Sequence, residues 1–278
     1  MQESKPRVLL TGVTGFLGNH ICKSFLDDGA YHIRGTTTSL KDPKKLDGLV
    51  KACGGEARFK QVEMMQVDIC NAANVDIAVQ GCEYVVHSAT PVPLNVAVMT
   101  QRDQDEFVKS VLDSTTNLLK ACTKHKVKRL VFTSSTTSVI NKNFKKGHII
   151  SEKDWADETT IPNAYTRAKI LQEKLVWKYW KEQLASSRFE LVVINPGNMI
   201  GPFFKQTLFG SIKVPGEIIW WSKRFFLYGH SKQFYYLVDV RDVSLAHLNA
   251  LKVPDAVGRR FLIVGEGMFI QQYAETMH

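Results

Sequence analysis

Three glycines near the N-terminus are the feature that most constrains the fold of this chain. Gly12, Gly15 and Gly18 follow the short apolar segment Arg7 to Thr11, and an apolar-periodic segment begins directly behind them. The apolar run predicts a buried strand and the periodic segment predicts a helix. A strand, a glycine turn and a helix in this order bind the pyrophosphate of a dinucleotide. The start of the chain therefore predicts a dinucleotide-binding fold.

Each glycine has its own task in such a turn. Gly12 permits the tight turn, Gly15 lets the backbone approach the phosphates, and Gly18 lets the helix pack closely on the strand. The helix N-terminus then offers free N–H groups to the anion. The predicted cofactor-binding residues of the turn are Gly12, Thr14, Gly15, Phe16, Leu17 and Gly18.

The composition is that of an ordinary globular protein. The chain has 278 residues, of which 44% are hydrophobic and 23% are charged, and this length can bury a large core. No apolar run reaches the roughly 18 residues that span a bilayer, and the first residues carry no signal-peptide pattern. The five cysteines are scattered and form no Cys-x-x-Cys pair. We expect no membrane span, a cytoplasmic location and reduced thiols.

A net charge of +9 leaves nucleic acid, a membrane surface and an anionic small ligand open as partners. The densest basic cluster extends from Lys120 to Arg129, and no nucleic-acid-binding motif accompanies it. Charge runs of this kind are typical of solvated helix ends and loops. We expect no nucleic-acid partner, because a phosphorylated cofactor accounts for the positive charge more simply. The eight histidines are dispersed and predict no metal site.

Strand-like and helix-like segments alternate along the first two thirds of the chain. The predicted strands are Val8 to Leu10, Tyr31 to Thr37, Phe59 to Val67, Tyr84 to His87, Arg129 to Thr133 and Phe189 to Ile194, and the predicted helices are 16–28, 71–80, 104–124 and 163–184. This alternation predicts an α/β fold, a Rossmann-type doubly wound parallel sheet with its ligand at the carboxyl ends of the strands. We expect residues 1–196 to form the dinucleotide-binding domain. Residues 197–278 should form mostly a smaller C-terminal substrate lobe, with 237–251 returning to the main domain.

Three polar residues in the second half of the predicted dinucleotide-binding domain are candidate catalytic residues. Ser135 follows the strand that ends at Thr133, so its hydroxyl should face the ligand crevice. Tyr165 and Lys169 are four residues apart and should lie one turn apart on one helix face. A nearby ammonium favours a phenolate and lowers the pKa of a tyrosine, and a serine hydroxyl can hold a carbonyl oxygen. The trio fits proton transfer coupled to hydride transfer.

A tyrosine followed four residues later by a lysine is a weak motif by itself. The chain contains a second example, Tyr228 and Lys232, but Gly229 argues against a helix there. Tyr165 could also be an ordinary buried helix tyrosine. The glycine turn and Ser135 favour the catalytic interpretation.

Seven segments of the chain together form a recognisable pattern. They are Thr11 to Gly18, Asp68-Ile69, His87 to Pro91, Val131 to Ser135, Ser151 to Trp155, Asn195 to Pro202 and Val238 to Val243. The pattern resembles the extended short-chain dehydrogenase/reductase family within the NAD-dependent epimerase/dehydratase superfamily. Within that family it is most similar to the dihydroflavonol-reductase-like group, which includes cinnamoyl-CoA reductases. The resemblance covers nearly the whole chain.

The resemblance implies a role for each site residue. Hydride would move between the nicotinamide ring and a carbonyl carbon. Tyr165 would give or take the proton, Lys169 would hold the nicotinamide ribose and lower the pKa of Tyr165, and Ser135 would fix the carbonyl oxygen. The implied cofactor contacts outside the turn are Asp68, Ile69, Ser88, Ala89, Thr90, Tyr165, Lys169 and Pro196.

The end of the second predicted strand bears on the choice of coenzyme. Family members that use NADPH usually carry Arg where Thr38 stands, and members that use NAD place an acid nearby; this chain has neither. Thr38, Ser39 and Lys41 could still hold a 2′-phosphate, because hydroxyls and an ammonium suit it. We therefore expect NADP as the cofactor, with NAD possible. Ala168 and Ser114 also depart from the family pattern, but neither removes a catalytic atom.

These observations predict an NADP(H)-dependent oxidoreductase that reduces an aldehyde or ketone to an alcohol. The partner would be a small-molecule carbonyl substrate, and the protein a monomer or homodimer. One alternative is a 3β-hydroxysteroid-type dehydrogenase or a sugar-nucleotide epimerase/dehydratase. Another is a non-catalytic cofactor-binding subunit of a larger complex. The aromatic cluster of Trp220, Trp221, Phe225 and Phe226 could meet a membrane or a partner, but we expect it to form a wall for an apolar substrate or the core of the small lobe. The segment from Tyr273 to His278 resembles the start of a helix that continues in relatives.

Overall fold

The chain alternates strands and helices, as its sequence pattern predicts. The computed structural model describes residues 5–91, 99–141, 143–161, 163–204, 234–269 and 272. The strands in this part of the chain are β1 (Arg7–Thr11), β2 (His32–Thr37), β3 (Val62–Gln66), β4 (Tyr84–His87), β5 (Arg129–Thr133), β6 (Glu190–Pro196), β7 (Asn198–Ile200), β8 (Phe234–Asp239), β9 (Arg259–Ile263) and β10 (Gly267–Phe269). The helices are α1 (Phe16–Asp28), α2 (Pro43–Cys53), α3 (Glu56–Phe59), α4 (Ala72–Val79), α5 (Gln101–Lys124), α6 (Ala164–Glu182) and α7 (Val240–Lys252).

Seven of these strands form one parallel sheet in the order β3-β2-β1-β4-β5-β6-β9. The strand order reverses between β1 and β4, which lie side by side with Leu10 opposite Val86. A reversal of this kind opens a crevice at the carboxyl ends of the strands. The Rossmann-type doubly wound sheet predicted from the sequence is confirmed.

Helices cover both faces of the sheet, and the core is divided accordingly. Val8 and Leu10 of β1 pack in one cluster with α1, α2 and α7, whereas Leu9 packs in the other cluster with α4, α5 and α6. Successive strand residues point to opposite faces. Because both faces are covered, β1 and β5 are buried at nearly every position and have apolar residues at their centres, as is usual in parallel sheets.

Side-chain caps set the helix starts that position the site. The Asn163 side chain accepts the Thr166 N–H at the start of α6. The side chain of Asp239 accepts the Arg241 N–H at the start of α7. Caps of this type each contribute about 1 kcal/mol. They fix where along the chain the helix face begins.

Three short strands form a second sheet in the order β10-β8-β7. Gly197 passes close to β8, since a Cβ on it would lie 2.3 Å from the Tyr236 carbonyl oxygen. Strand β9 joins the main sheet beside β6, although the sequence-based division left it in the smaller lobe. The division into two domains stays a prediction, and the aromatic residues 220–226, the second tyrosine-lysine pair and residues 273–278 lie outside the described residues.

Among the described residues, no helix is both long and apolar enough to cross a membrane. In the same part of the chain, no group of three His, Cys, Asp or Glu side chains is placed to hold a metal ion.

Candidate active site

The turn between β1 and α1 has a geometry that requires glycine. Gly12 has a φ of +70° and donates its N–H to Thr36 Oγ1 at 3.1 Å. A Cβ on Gly18 would lie 2.0 Å from the Gly12 carbonyl oxygen. Side chains rarely adopt positive φ, and no atom fits at 2.0 Å. The first turn of α1 therefore packs directly against the glycine turn that follows β1, as a phosphate-binding turn requires.

The N-terminus of α1 faces the space above this turn. Gly15 precedes the helix with an extended backbone and makes no side-chain cap. The first N–H groups of a helix lack intrahelical acceptors and carry positive partial charge. Thr14 Oγ1 lies 3.2 Å from Thr37 Oγ1. The Leu17 side chain is buried in the core, so Leu17 can offer a ligand only its backbone. The half-buried Phe16 ring lies against Phe203.

The segment after β2 carries the three residues expected to hold a 2′-phosphate. Thr38 and Lys41 are exposed, and the Lys41 N–H donates to Ser39 Oγ at 3.3 Å. Lys45 Nζ of α2 donates to Thr38 Oγ1. This adds a second ammonium to the segment. Sequence reasoning missed Lys45 because it did not predict α2, although Asp42 followed by Pro43 is a recognisable helix start.

Asp68 and Ile69 follow β3 at the same edge of the sheet. Asp68 is exposed and its Oδ1 accepts the Cys70 N–H at 2.9 Å. Ile69 lines a small cavity together with Thr36 and Ser114. These positions agree with a contact to an adenine ring or its ribose, and the contact itself stays a prediction.

Ser88 and Ala89 are tied to the glycine turn through one hydroxyl. The N–H groups of both residues donate to Thr11 Oγ1, at 3.1 and 3.2 Å. Ser88 Oγ also donates to the Thr11 carbonyl oxygen at 2.8 Å. A Cβ on Gly12 would approach Ala89 Cα to 3.1 Å. Hydrogen bonds and close packing therefore hold the segment after β4 against the end of β1 and the turn that follows it.

Lys169 is buried on α6 and reaches the ends of two strands. Its Nζ donates to Thr90 Oγ1 at 3.3 Å, to the Thr133 carbonyl oxygen at 3.2 Å and to Gln172 Oε1 at 3.0 Å. Burial lowers the pKa of Lys169 to about 8, against an opposing effect of the Glu173 charge. The ammonium is thus the main form at neutral pH.

Tyr165 lies one turn before Lys169 on α6 and packs against an apolar cluster that includes Val111 and Ala168. Burial raises the pKa of its phenol above the ordinary value. The expectation that Lys169 lowers this pKa is not met in this structure. The physical reason is that the phenol packs among apolar side chains while the ammonium is bound to three other oxygens.

Ser135 begins the turn after β5. Its Oγ accepts the Thr137 N–H at 3.2 Å, and its carbonyl oxygen accepts Asn195 Nδ2 at 3.0 Å. Asn195 precedes Pro196, and both are buried at the end of β6. The backbone of Ser135 is therefore fixed to the neighbouring strand.

A buried carboxylate behind these residues was not foreseen from the sequence. Glu173 has no exposed surface, and its oxygens accept Ser134 Oγ at 2.5 Å and Asn195 Nδ2 at 2.7 Å. Arg260 Nε of β9 donates to it at 2.6 Å, as does Trp177 Nε1 at 3.2 Å. A buried charge needs such partners. Because Ser134, Asn195 and Arg260 lie far from Glu173 in the sequence, no local motif predicts that these side chains meet.

The expected site residues thus lie at the carboxyl ends of the strands of the main sheet. The turn after β1 and the segments after β4, β5 and β6 meet there, and Lys169 bonds both the segment after β4 and the end of β5. Fold and turn geometry together define a Rossmann-type dinucleotide-binding protein.

Comparison with known proteins places the chain within this class. The profile described as the NAD dependent epimerase/dehydratase family matches residues 8–265, so the chain belongs to that family. The resemblance seen in the sequence motifs is confirmed.

Three relatives illustrate the likeness. Cinnamoyl-CoA reductase 1 of Petunia hybrida is 30% identical over 256 residues, covering 91% of this chain and 71% of the relative. The bifunctional dihydroflavonol 4-reductase/flavanone 4-reductase of Pyrus communis is 29% identical over 266 residues, covering 93% and 72%. The crystal structure of yeast methylglyoxal/isovaleraldehyde reductase Gre2 with NADPH superposes with a TM-score of 0.80 at 25% identity, covering 96% of this chain and 80% of Gre2.

Proposed function

We propose that the protein is an NADPH-dependent oxidoreductase that reduces an aldehyde or ketone to an alcohol. The observation that carries the proposal is the position of Lys169, whose ammonium lies between the ends of β4 and β5 with Tyr165 one turn away on the same helix. The relatives bear the names of reductases that act on carbonyl compounds or their thioesters. This agreement favours reduction over epimerisation or dehydration.

The glycine turn fits a dinucleotide. The first N–H groups of α1 have no side-chain cap and could bind a pyrophosphate. The Ser88 to Thr90 segment and Pro196 would line the nicotinamide end, and Asp68 and Ile69 the adenine end. When bound, NADPH supplies the hydride.

The segment after β2 supports NADPH rather than NADH. Lys45 donates from its ammonium to the Thr38 hydroxyl, and the backbone N–H of the exposed Lys41 donates to the Ser39 hydroxyl. Ammonium and hydroxyl groups of this kind suit a 2′-phosphate. Asp42, the nearest carboxylate along the chain, is engaged as the cap of α2. Ammonium and hydroxyl groups thus take over the role that an arginine plays elsewhere in the family.

The proton on oxygen would come from Tyr165. The phenol is protonated at neutral pH because burial raises its pKa. Ser135 would donate a hydrogen bond to the carbonyl oxygen and hold it beside that phenol. Lys169 would orient the ribose of the bound coenzyme.

The test is the oxidation of NADPH and NADH, followed at the nicotinamide absorbance, with a panel of aliphatic, aromatic and α-dicarbonyl substrates. We expect turnover with NADPH and slower turnover with NADH. Binding of NADPH without turnover of any carbonyl would contradict the proposal and favour a non-catalytic subunit. Size measurement of the purified chain tests the accompanying expectation of a monomer or homodimer.

A further inference from the structure

Lys169 uses all three of its ammonium protons inside the protein. Its Nζ donates to oxygens of Thr90, Thr133 and Gln172. An ammonium has three donors. A coenzyme ribose can therefore gain a hydrogen bond from Lys169 only when one of these contacts is given up.

Thr90 is the partner that can be exchanged. Its contact, at 3.3 Å, is the longest of the three, and its side chain is half-buried in the segment that faces the coenzyme site. The Thr133 acceptor is a main-chain carbonyl at the end of a buried strand. It cannot withdraw without moving the sheet.

Gln172 is held firmly from its other side. It is 1% exposed, and its Nε2 donates to Thr115 Oγ1 at 2.8 Å. The fully buried Thr115 hydroxyl donates in turn to the Val111 carbonyl oxygen at 2.7 Å. A continuous chain of hydrogen bonds thus connects the ammonium of Lys169 with the backbone of α5. An amide with both ends bonded has little freedom to turn away.

We infer that Gln172, anchored by Thr115, is a positioning residue for Lys169, which it holds in place while the Thr90 contact is exchanged for the coenzyme ribose. This inference rests on the proposed function, because it assumes that the coenzyme binds at the carboxyl ends of these strands. It assigns a task to a glutamine that the sequence motifs did not single out.

The charged and titratable groups around this ammonium are few. His87 of β4 faces it, and burial lowers the pKa of His87 to about 3, so the ring is neutral. Tyr165 is protonated because burial raises its pKa. Glu173 acts on Lys169 through its charge but is bound to Arg260. From β5 the ammonium meets the Thr133 carbonyl oxygen, and from α5 the Thr115 hydroxyl bonds Gln172; neither group is charged. Lys169 is therefore the group that titrates here above neutral pH.

Two substitutions at Gln172 test the inference in opposite directions. Gln172→Leu removes an acceptor from the ammonium, and Gln172→Glu replaces it with a carboxylate. We expect the alkaline limb of kcat/KM to move down by about one pH unit in Gln172→Leu and up by a similar amount in Gln172→Glu. The alkaline rise of the NADPH dissociation constant, measured by protein fluorescence, should move in the same two directions. Simple loosening of the core would not produce opposite shifts.

Two matched substitutions on α5 distinguish the loss of the Gln172 anchor from a general change in packing. Thr115→Val removes the anchor of Gln172 and touches no contact of Lys169. Thr116→Val removes a neighbouring hydroxyl that bonds the Leu112 carbonyl oxygen in the same way. We expect Thr115→Val to weaken NADPH binding about threefold and to lower the alkaline limb, and Thr116→Val to change neither.

The outcomes distinguish this inference from the proposed function. Alkaline limbs that coincide in the wild type, Gln172→Leu and Gln172→Glu would overturn the inference. A wild type that binds NADPH but reduces no carbonyl would overturn the proposed function, and the pH dependence of binding would still test Gln172. If Gln172→Leu does not fold, Gln172→Glu and Thr115→Val carry the test.

Discussion

At the scale of single residues, burial sets the protonation states at the site. The phenol of Tyr165 has a raised pKa, and Lys169 has its pKa lowered to about 8. Both side chains are protonated at neutral pH, which is the state that their proposed roles as proton donor and ribose-binding cation require. The two side chains thus have the protonation states that a reduction needs at its start.

Tyr165→Phe should abolish turnover and leave NADPH binding nearly unchanged. The substitution removes the proton donor, a contribution of about 10²–10⁴ in rate, and leaves the glycine turn intact. The measurement is NADPH oxidation with the preferred carbonyl, together with NADPH titration by fluorescence. Tyr179→Phe is the matched control, because this tyrosine lies on the same helix with its hydroxyl 3.1 Å from Thr123 Oγ1. Equal turnover in both variants would remove Tyr165 from the mechanism.

Lys45→Met should weaken NADPH binding and leave NADH binding unchanged. The ammonium of Lys45 bonds Thr38 where a 2′-phosphate is expected, and a charge-assisted contact at such an exposed site is worth about tenfold in affinity. The effect should shrink at high salt, since the site is exposed. Lys51→Met on the same helix, whose ammonium pairs with Asp47, is the control. An equal loss for NADH would show that Lys45 does not read the phosphate.

At the scale of elements, one ion pair joins the edge strand β9 to the helix α6. Arg260 of β9 bonds Glu173 of α6, and Glu173 bonds the side chains of Ser134 and Asn195 beside Ser135. The guanidinium also donates to the Asp154 carbonyl oxygen at 2.8 Å. The segment before α6, the helix and two strands therefore meet at one buried carboxylate.

Arg260→Met should lower the free energy of unfolding by about 3–5 kcal/mol, because it leaves the Glu173 carboxylate buried without its cation. Methionine keeps apolar contact with the Trp155 ring, over which the guanidinium carbon lies at 3.8 Å. Urea denaturation measures the change. Arg102→Met, which breaks the exposed pair with Glu106, should change stability by no more than about 0.5 kcal/mol. A loss below about 1 kcal/mol in Arg260→Met would contradict the role of this ion pair.

At the scale of the whole molecule, local patterns predict the fold better than they predict the site. The strand, glycine turn and helix around Gly12 are adjacent in sequence, so they could be predicted, and α1 has the expected bounds. The Glu173–Arg260 pair joins residues far apart in the chain, so only the folded sheet brings it together. The protonation state of Tyr165 depends on apolar neighbours from another helix. Spacing alone indicated the opposite direction for its pKa.

The stability of the whole molecule should decrease as the pH drops below neutral, because two buried histidines are held in the neutral form. Burial lowers the pKa of His87 to about 3 and that of His247 to about 4, against 6.5 as the ordinary value. As pH falls below about 6.5, the unfolded chain binds protons that the folded chain does not bind, so the stability is lost from pH 6.5 down to these values. Each histidine should account for a loss of about 2 kcal/mol between pH 7 and pH 5.

His247→Gln should reduce this loss by about 2 kcal/mol. The amide can still bond Thr133 Oγ1, which lies 2.8 Å from His247 Nε2 in the wild type, but it does not titrate. The measurement is urea denaturation at pH 7 and pH 5 for the wild type, this variant and His32→Gln, in which an exposed histidine is replaced. Lys169 does not contribute to the difference in stability between pH 7 and pH 5, because its pKa is about 8 and its titration changes stability only above that pH. An identical loss in the wild type and His247→Gln would show that His247 is not held neutral by burial.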